Sequence, residues 1–148
     1  MAIVIDYMPL ILKGMLLTVE VAVLSLLISM LLGMLGALAK LSGSRIRRGI
    51  AGIYTTVIRG IPDLVLMNLI FFGGQILVND LGEKLGWEYI DVNPFIAGVI
   101  TIGVIFGAYM AESFRGGILA VSRGEIEAGY AFGMTPLKVF IRITLPAM

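Results

Sequence analysis

The sequence has 148 residues, of which 59% are hydrophobic and 14% charged, and 11 Lys and Arg against 10 Asp and Glu leave a net charge of +1. Soluble domains carry about a quarter charged residues, so this composition belongs to a membrane protein. The chain contains neither cysteine nor histidine, which excludes disulfides, thiolate and imidazole metal sites, haem ligation by His, and Ser-His or Cys-His nucleophile pairs.

The amino terminus, MAIVIDYMPLILKG, carries Asp6 ahead of the apolar stretch and has neither a basic leading region nor an A-x-A site. It does not read as a removable signal peptide. A bilayer core of about 30 Å takes roughly 20 apolar residues of helix, and three runs approach that length. The first covers residues 9–39 and is interrupted by Lys13 and Glu20. Ser25, Ser29, Gly33 and Ala37 recur in it every four residues, the spacing of a small-residue ridge that lets another helix approach closely. The second run, residues 64–78, is short for a span and has a weaker apolar lead-in over 50–58. Pro62 is expected to break a longer element there, because proline lacks the backbone donor and disfavours helix in the residue before it. The third run, residues 94–111, carries its own ridge of Gly103, Gly107 and Ala111.

Charge orients these runs. Between the first and second lies KLSGSRIRRG, with Lys40, Arg45, Arg47 and Arg48 and no acid. Between the second and third lies NDLGEKLGWEYIDVN, with Asp80, Glu83, Glu88 and Asp91 against Lys84 alone. The positive-inside rule makes the first loop cytoplasmic and the second external. The amino terminus is then outside, and the chain from about Arg115 onward, with Arg123, Lys138 and Arg142, is cytosolic. Trp87 and Tyr89 suit either an interfacial aromatic belt or ordinary packing.

From Val121 the pattern becomes amphipathic. Ser122 and Glu125 have capping-box spacing, with the serine oxygen accepting from the N3 donor and the glutamate reaching back. Ile126 and Tyr130 share a face, and Gly133 stands where a left-handed cap would end the helix. Thr135 is a second N-cap with Pro136 at the first helical position. Leu137, Phe140, Ile141, Thr144 and Leu145 then form an apolar stripe opposite Lys138 and Arg142, and Pro146 closes the element. The expectation is a cytosolic hairpin over residues 122–146 attached to a membrane bundle, in the form of a docking element.

Glu127-Ala128-Gly129, three residues, Gly133, nine residues, then Ile143-Thr144-Leu145-Pro146 resembles the EAA motif of bacterial ABC importer permeases. Gly129 departs from the motif's second alanine. RGIPDLVLMNLIFFGGQ (residues 59–75) and GAYMAESFRGGILAVSRGEIEAGYAFGM (residues 107–134) resemble the polar amino-acid uptake family, in its histidine and lysine/arginine/ornithine branch or opine relatives. The resemblance implies an all-α integral membrane fold, a type I ABC importer-like helical bundle. About three transmembrane helices and a cytosolic coupling helix would fall in this chain, read as one incomplete permease domain over 1–148. It implies a bacterial inner-membrane location, a homologous second permease subunit in a homo- or heterodimer, ABC ATPase subunits, a periplasmic solute-binding protein, an amino-acid substrate and surrounding lipid, with no nucleic acid. ATP and Mg would sit on the partner ATPase, with no cofactor on this chain. Glu127 would contact the ATPase, Ala128 and Gly129 would permit close docking, and Gly133 would make the bend. Family members continue for two more spans, so a chain ending at Met148 is expected to be a fragment or truncated form that does not transport alone.

Charges inside spans are functional hypotheses by default. Glu112 and Glu20 are the candidates for a cationic substrate's pathway, although Glu112 could instead pair with Arg115 three residues on. Arg59 and Asp63 flank Pro62, where local pairing or shaping of the bundle's inner end suits them better. No catalytic residue and no metal ligand is assigned. The competing readings are an assembly subunit without transport and a Ser-Lys membrane hydrolase using Ser25, Ser29 or Ser113. The second is opposed by the sequence distance of Lys13 and Lys40 from these serines and by the lack of a G-x-S-x-G turn.

Overall fold

In the computed structural model, which describes residues 2–148 and side chains from Tyr7 onward, the chain is a bundle of helices with a small helical hairpin at one end. The Asp6 side chain lies outside the described residues. Helix α1 runs Ala2–Leu41, α2 Arg45–Gly60, α3 Asp63–Lys84 and α4 Pro94–Ala120. Three of them, over Tyr7–Leu41, Asp63–Lys84 and Pro94–Ala120, are long and apolar enough to cross a membrane. At 1.5 Å per residue the 40-residue α1 is about 60 Å long, about twice the hydrocarbon core.

The small-residue ridges mesh. Ser25, Ser29 and Ala37 of α1 are almost fully buried, as are Ala108 and Ala111 of α4. A Cβ built on Gly33 would lie 2.5 Å from Met110 Cβ, one on Gly36 2.8 Å from Ala111 Cβ, and one on Gly103 2.6 Å from Ile28 Cγ2. Ser25 adds a hydrogen bond from its hydroxyl to the Val99 carbonyl at 3.2 Å. Contacts rise together along both helices, Ser25 against Val99 and Gly36 against Ala111, so α1 and α4 run parallel. Lipid removes the hydrophobic drive between such helices, and close backbone approach with dispersion holds them instead.

Pro62 breaks the chain as the sequence suggests. Ile61 is extended (φ −112°, ψ 138°) between the end of α2 and the start of α3, and α3 turns back antiparallel along α4. The lead-in over 50–58 is therefore part of a separate amphipathic helix that buries Ala51, Thr55 and Ile58. Ile58, Leu66, Ile105 and Ala108 form the core where the break meets α4.

Four boundaries differ from expectation. The first helix runs Ala2–Leu41 rather than 9–39, with Pro9 inside it. The second span extends through Lys84, because Asn79 and Asp80 continue the helix until Gly86 turns it at φ 75°. The third extends nine residues past 111 to Ala120, since nothing in ESFRGGILA forbids helix and Arg115 pairs back to Glu112. The basic stretch over 40–49 is mostly not loop: Lys40 lies in the last turn of α1 and Arg45 begins α2. Asn93 caps α4, accepting from the Phe95 amide at 2.9 Å, with Pro94 at the first helical position. In the acidic connection, the Gln75 and Asn79 amides hold the chain at Ile90 and Val92. The Ile90 amide donates to Asn79 Oδ1 at 2.8 Å and the Val92 amide to Gln75 Oε1 at 2.9 Å.

Candidate functional site

The hairpin begins at α5, Arg123–Ala131. Ser122 occupies the N-cap position but makes no capping bond through its side chain. The expected capping box is absent because the Glu125 amide is already taken by the Ser122 backbone carbonyl at 3.2 Å in a tight first turn. The other end follows expectation closely. Gly133 has φ 74°, its amide bonds to the Tyr130 carbonyl, and the Met134 amide bonds to the Gly129 carbonyl at 3.1 Å, which is the Schellman arrangement. A side chain in this left-handed region costs about 1 kcal/mol or more. Gly133→Ala is therefore expected to lower thermal stability of the detergent-solubilised protein by that amount; an unchanged melting curve contradicts this.

Thr135 caps the next helix, its hydroxyl oxygen accepting from the Lys138 amide at 3.4 Å. Helix α6 covers Pro136–Val139, a π-helical turn covers Phe140–Thr144, and α7 covers Leu145–Ala147. The expected apolar stripe is divided, with Thr144 inward and most of the rest outward. Leu137, Ile141 and Leu145 are exposed, whereas Val139 and Thr144 are buried. The wide turn, in which the Leu145 amide reaches the Phe140 carbonyl, adds a residue to the repeat and rotates the face. Pro146 lies inside the terminal helix rather than ending it, and π turns are one way for a helix to absorb a missing donor.

These elements bring the motif together. Gly129 is buried against the second arm, and a Cβ there would meet Ile143 Cδ1 at 2.6 Å and Val139 Cγ2 at 3.2 Å. Gly129 thus serves packing between the two arms, while Glu127 and Ala128 are exposed beside it. Phe132, Leu137, Ile141 and Tyr130 are also exposed, Phe132 by 85%, an apolar fringe that an isolated surface hairpin rarely carries. An open cavity of about 440 Å³ lies along the hairpin, lined among others by Glu125, Ala128, Phe132, Met134, Arg142 and Ile143. Met148 returns to α4, where a Cβ on Gly117 would lie 3.0 Å from its own, so the hairpin is seated on the end of α4.

The intramembrane carboxylates are separated. Glu112 is half-buried and both of its oxygens are engaged, Oε1 by the Lys40 ammonium and Oε2 by Arg115 Nε at 3.1 Å. The Lys40 ammonium also donates to Thr55 Oγ1 at 2.6 Å. These are the two ion pairs among the described residues. The Arg115 partnership was legible from the spacing; Lys40 was not, because it precedes Glu112 by 72 residues. Glu20 is exposed on α1. Since Gly36 lies at the level of Ala111, Glu20 stands about 24 Å from Glu112 along the axis, so the fold does not bring the two together. Arg59 and Asp63 do not pair with each other. Tyr109 lies between them, its hydroxyl donating to Asp63 Oδ1 at 3.0 Å and its ring 5.6 Å from the Arg59 guanidinium. The serine hydroxyls donate to backbone carbonyls, Ser25 to Val99, Ser29 to Leu26 and Ser113 to Tyr109. None has a lysine among its hydrogen-bond partners.

The family described as "Binding-protein-dependent transport system inner membrane component" matches residues 29–148. The chain belongs to that family. As an inner membrane component of this kind it is a multi-pass membrane protein. It is 51% identical over 138 residues to the histidine/lysine/arginine/ornithine transport system permease protein HisQ of Salmonella typhimurium, covering 93% of this chain and 60% of the relative. It is 40% identical over 136 residues to the octopine transport system permease protein OccQ of Rhizobium radiobacter, covering 91% and 57%. A crystal structure of an amino acid ABC transporter with histidines is similar with a TM-score of 0.74 and 32% identity, over 97% of this chain and 62% of that one. The chain thus spans about 60% of the length of the curated relatives it matches. The stretch that resembles the EAA motif lies within the matched residues and forms the hairpin described above.

Proposed function

We infer that this chain is part of the membrane-spanning permease of an ATP-driven importer for polar, basic amino acids or their opine-like derivatives. It serves as a transport subunit and not as an enzyme. ATP and Mg are handled by ABC ATPase partners, a periplasmic solute-binding protein delivers substrate, and a second homologous permease subunit completes the membrane unit. The observation that carries this reading is the hairpin. Its Glu127-Ala128-Gly129 segment ends in a Schellman turn at Gly133 and is braced by Ile143 and Val139. The result is a short rigid projection with exposed apolar side chains. A stiff lever suits rigid-body rocking driven from a docked ATPase.

Substrate class rests on the relatives' names, which specify basic amino acids and octopine. Topology rests on the distribution of Lys and Arg, which puts the amino terminus outside and the hairpin in the cytosol. Glu20 is exposed and has no ion-pair partner among the described residues, which suits a cationic substrate. Glu112 could contact one only after releasing Lys40 or Arg115. The test is reconstitution of the full-length permease with its ATPase and solute-binding protein in liposomes. ATP-dependent uptake of lysine, arginine, ornithine or histidine is expected. Hydrolysis without accumulation of any of them, or stable assembly without stimulated hydrolysis, would favour a non-transporting assembly subunit.

A further inference from the structure

One turn of α4, residues 109–112, touches every other membrane helix. Tyr109 binds Asp63 at the start of α3 and lies under Arg59 at the end of α2. Met110 and Ala111 are the residues against which Gly33 and Gly36 of α1 are pressed. Glu112 holds Lys40 at the end of α1, and Lys40 in turn holds Thr55 of α2. The hairpin is joined to the same helix only a few turns further on, through buried Val121 and through Met148 against Gly117.

We propose that residues 109–112 are the joint through which displacement at the hairpin end of α4 reaches α1, α2 and α3 together, with Glu112 as the positioning residue that keeps the end of α1 in register. The proposal rests on the importer reading above. Helices in lipid have no hydrophobic drive to stay together, so specific ties decide which of them move as one body. The α1–α4 ridge gives close contact, but meshed small residues offer little resistance to sliding or rotation. A carboxylate bonded at both oxygens, one to each of two cations, fixes direction as well as distance. The Lys40 and Glu112 side chains are only 15% and 21% exposed, so water does not readily replace either partner. A residue kept for substrate would leave an oxygen open toward a cavity, and Glu112 does not.

The experiment uses the full-length permease assembled with its ATPase and solute-binding protein in liposomes, reading lysine uptake per ATP hydrolysed. Lys40→Met and Glu112→Gln are each expected to lower this ratio about tenfold, and the double variant to lower it by the same factor, since both remove one tie. The ATPase copurifies throughout and the KM for lysine is unchanged. Tyr109→Phe keeps the ring under Arg59 and releases only Asp63, and it lowers the ratio by a smaller factor. Independent, multiplying losses in the double variant overturn the proposal. So does a KM increase confined to cationic amino acids in Glu112→Gln, which would make Glu112 a substrate contact. If Glu112→Gln does not assemble, unaltered ratios in both Lys40→Met and Tyr109→Phe overturn it equally. Absence of ATP-driven uptake in the unsubstituted assembly overturns the importer reading and the joint with it, whereas normal uptake with unaltered ratios in the variants overturns the joint alone.

Discussion

Glu127→Lys in the full-length permease is expected to abolish ATPase stimulation and lower uptake at least about tenfold while the protein still inserts and folds. Glu127 is exposed on α5 and makes no side-chain hydrogen bond or ion pair among the described residues, so its replacement removes nothing seen to hold the hairpin. Its exposed neighbours are small or aromatic: Ala128 beside it, and Tyr130 three residues on along the same face. A partner groove closing over that surface would desolvate the carboxylate and need to pair it. Losing one member of such an interfacial pair costs about 2–5 kcal/mol, and reversing its charge adds repulsion. Copurification with the ATPase and stimulated hydrolysis measure the effect. Unaltered association and stimulation would remove Glu127 from the interface.

Gly33→Leu is expected to have the largest effect on the fold. The built Cβ at Gly33 falls 2.5 Å from Met110 Cβ and 3.1 Å from the Met110 backbone carbon. The clash is with the neighbour's own Cβ and main chain, so no rotamer change relieves it and α1 must separate from α4. Overpacking of this kind costs about 1–3 kcal/mol, and more when backbone must move. Gly14→Leu is the control, because a Cβ at Gly14 meets nothing within 4 Å on the same helix. Thermal unfolding in detergent should show a lowered midpoint for Gly33→Leu and little change for Gly14→Leu. Equal midpoints would mean that the ridge is not a helix contact.

Features with short-range causes were legible in the sequence. The two small-residue ridges follow from four-residue spacing, the break at Pro62 from proline's missing donor, and the turn at Gly133 from the need for a left-handed residue at a helix end. Legibility failed where the cause was distant or off-period. Lys40 reads as a loop charge in an acid-free stretch, and its place is decided by Glu112 across the bundle. The π turn over Phe140–Thr144 leaves Thr144 of the stripe buried together with Val139, which lies outside it, and leaves Leu137, Ile141 and Leu145 exposed. Ser122 has the right spacing for a capping box, yet the backbone of the tight first turn supplies the bond instead. Glu112 and Glu20 look alike in the sequence, as charges within apolar runs. Only the packing separates a carboxylate with two cations from one with none among the described residues.

If the hairpin is the surface that meets an ATPase, a cysteine placed on it will report the contact, and none of these 148 residues is a cysteine. A single Ala128→Cys in the full-length permease, otherwise made cysteine-free and labelled with a short thiol-reactive photocross-linker in the assembled transporter, is expected to link to the ATPase. Trp87→Cys, at an exposed position in the acidic connection between α3 and α4, is expected not to link. An unlinked Ala128→Cys, or linkage from Trp87→Cys instead, would contradict the account.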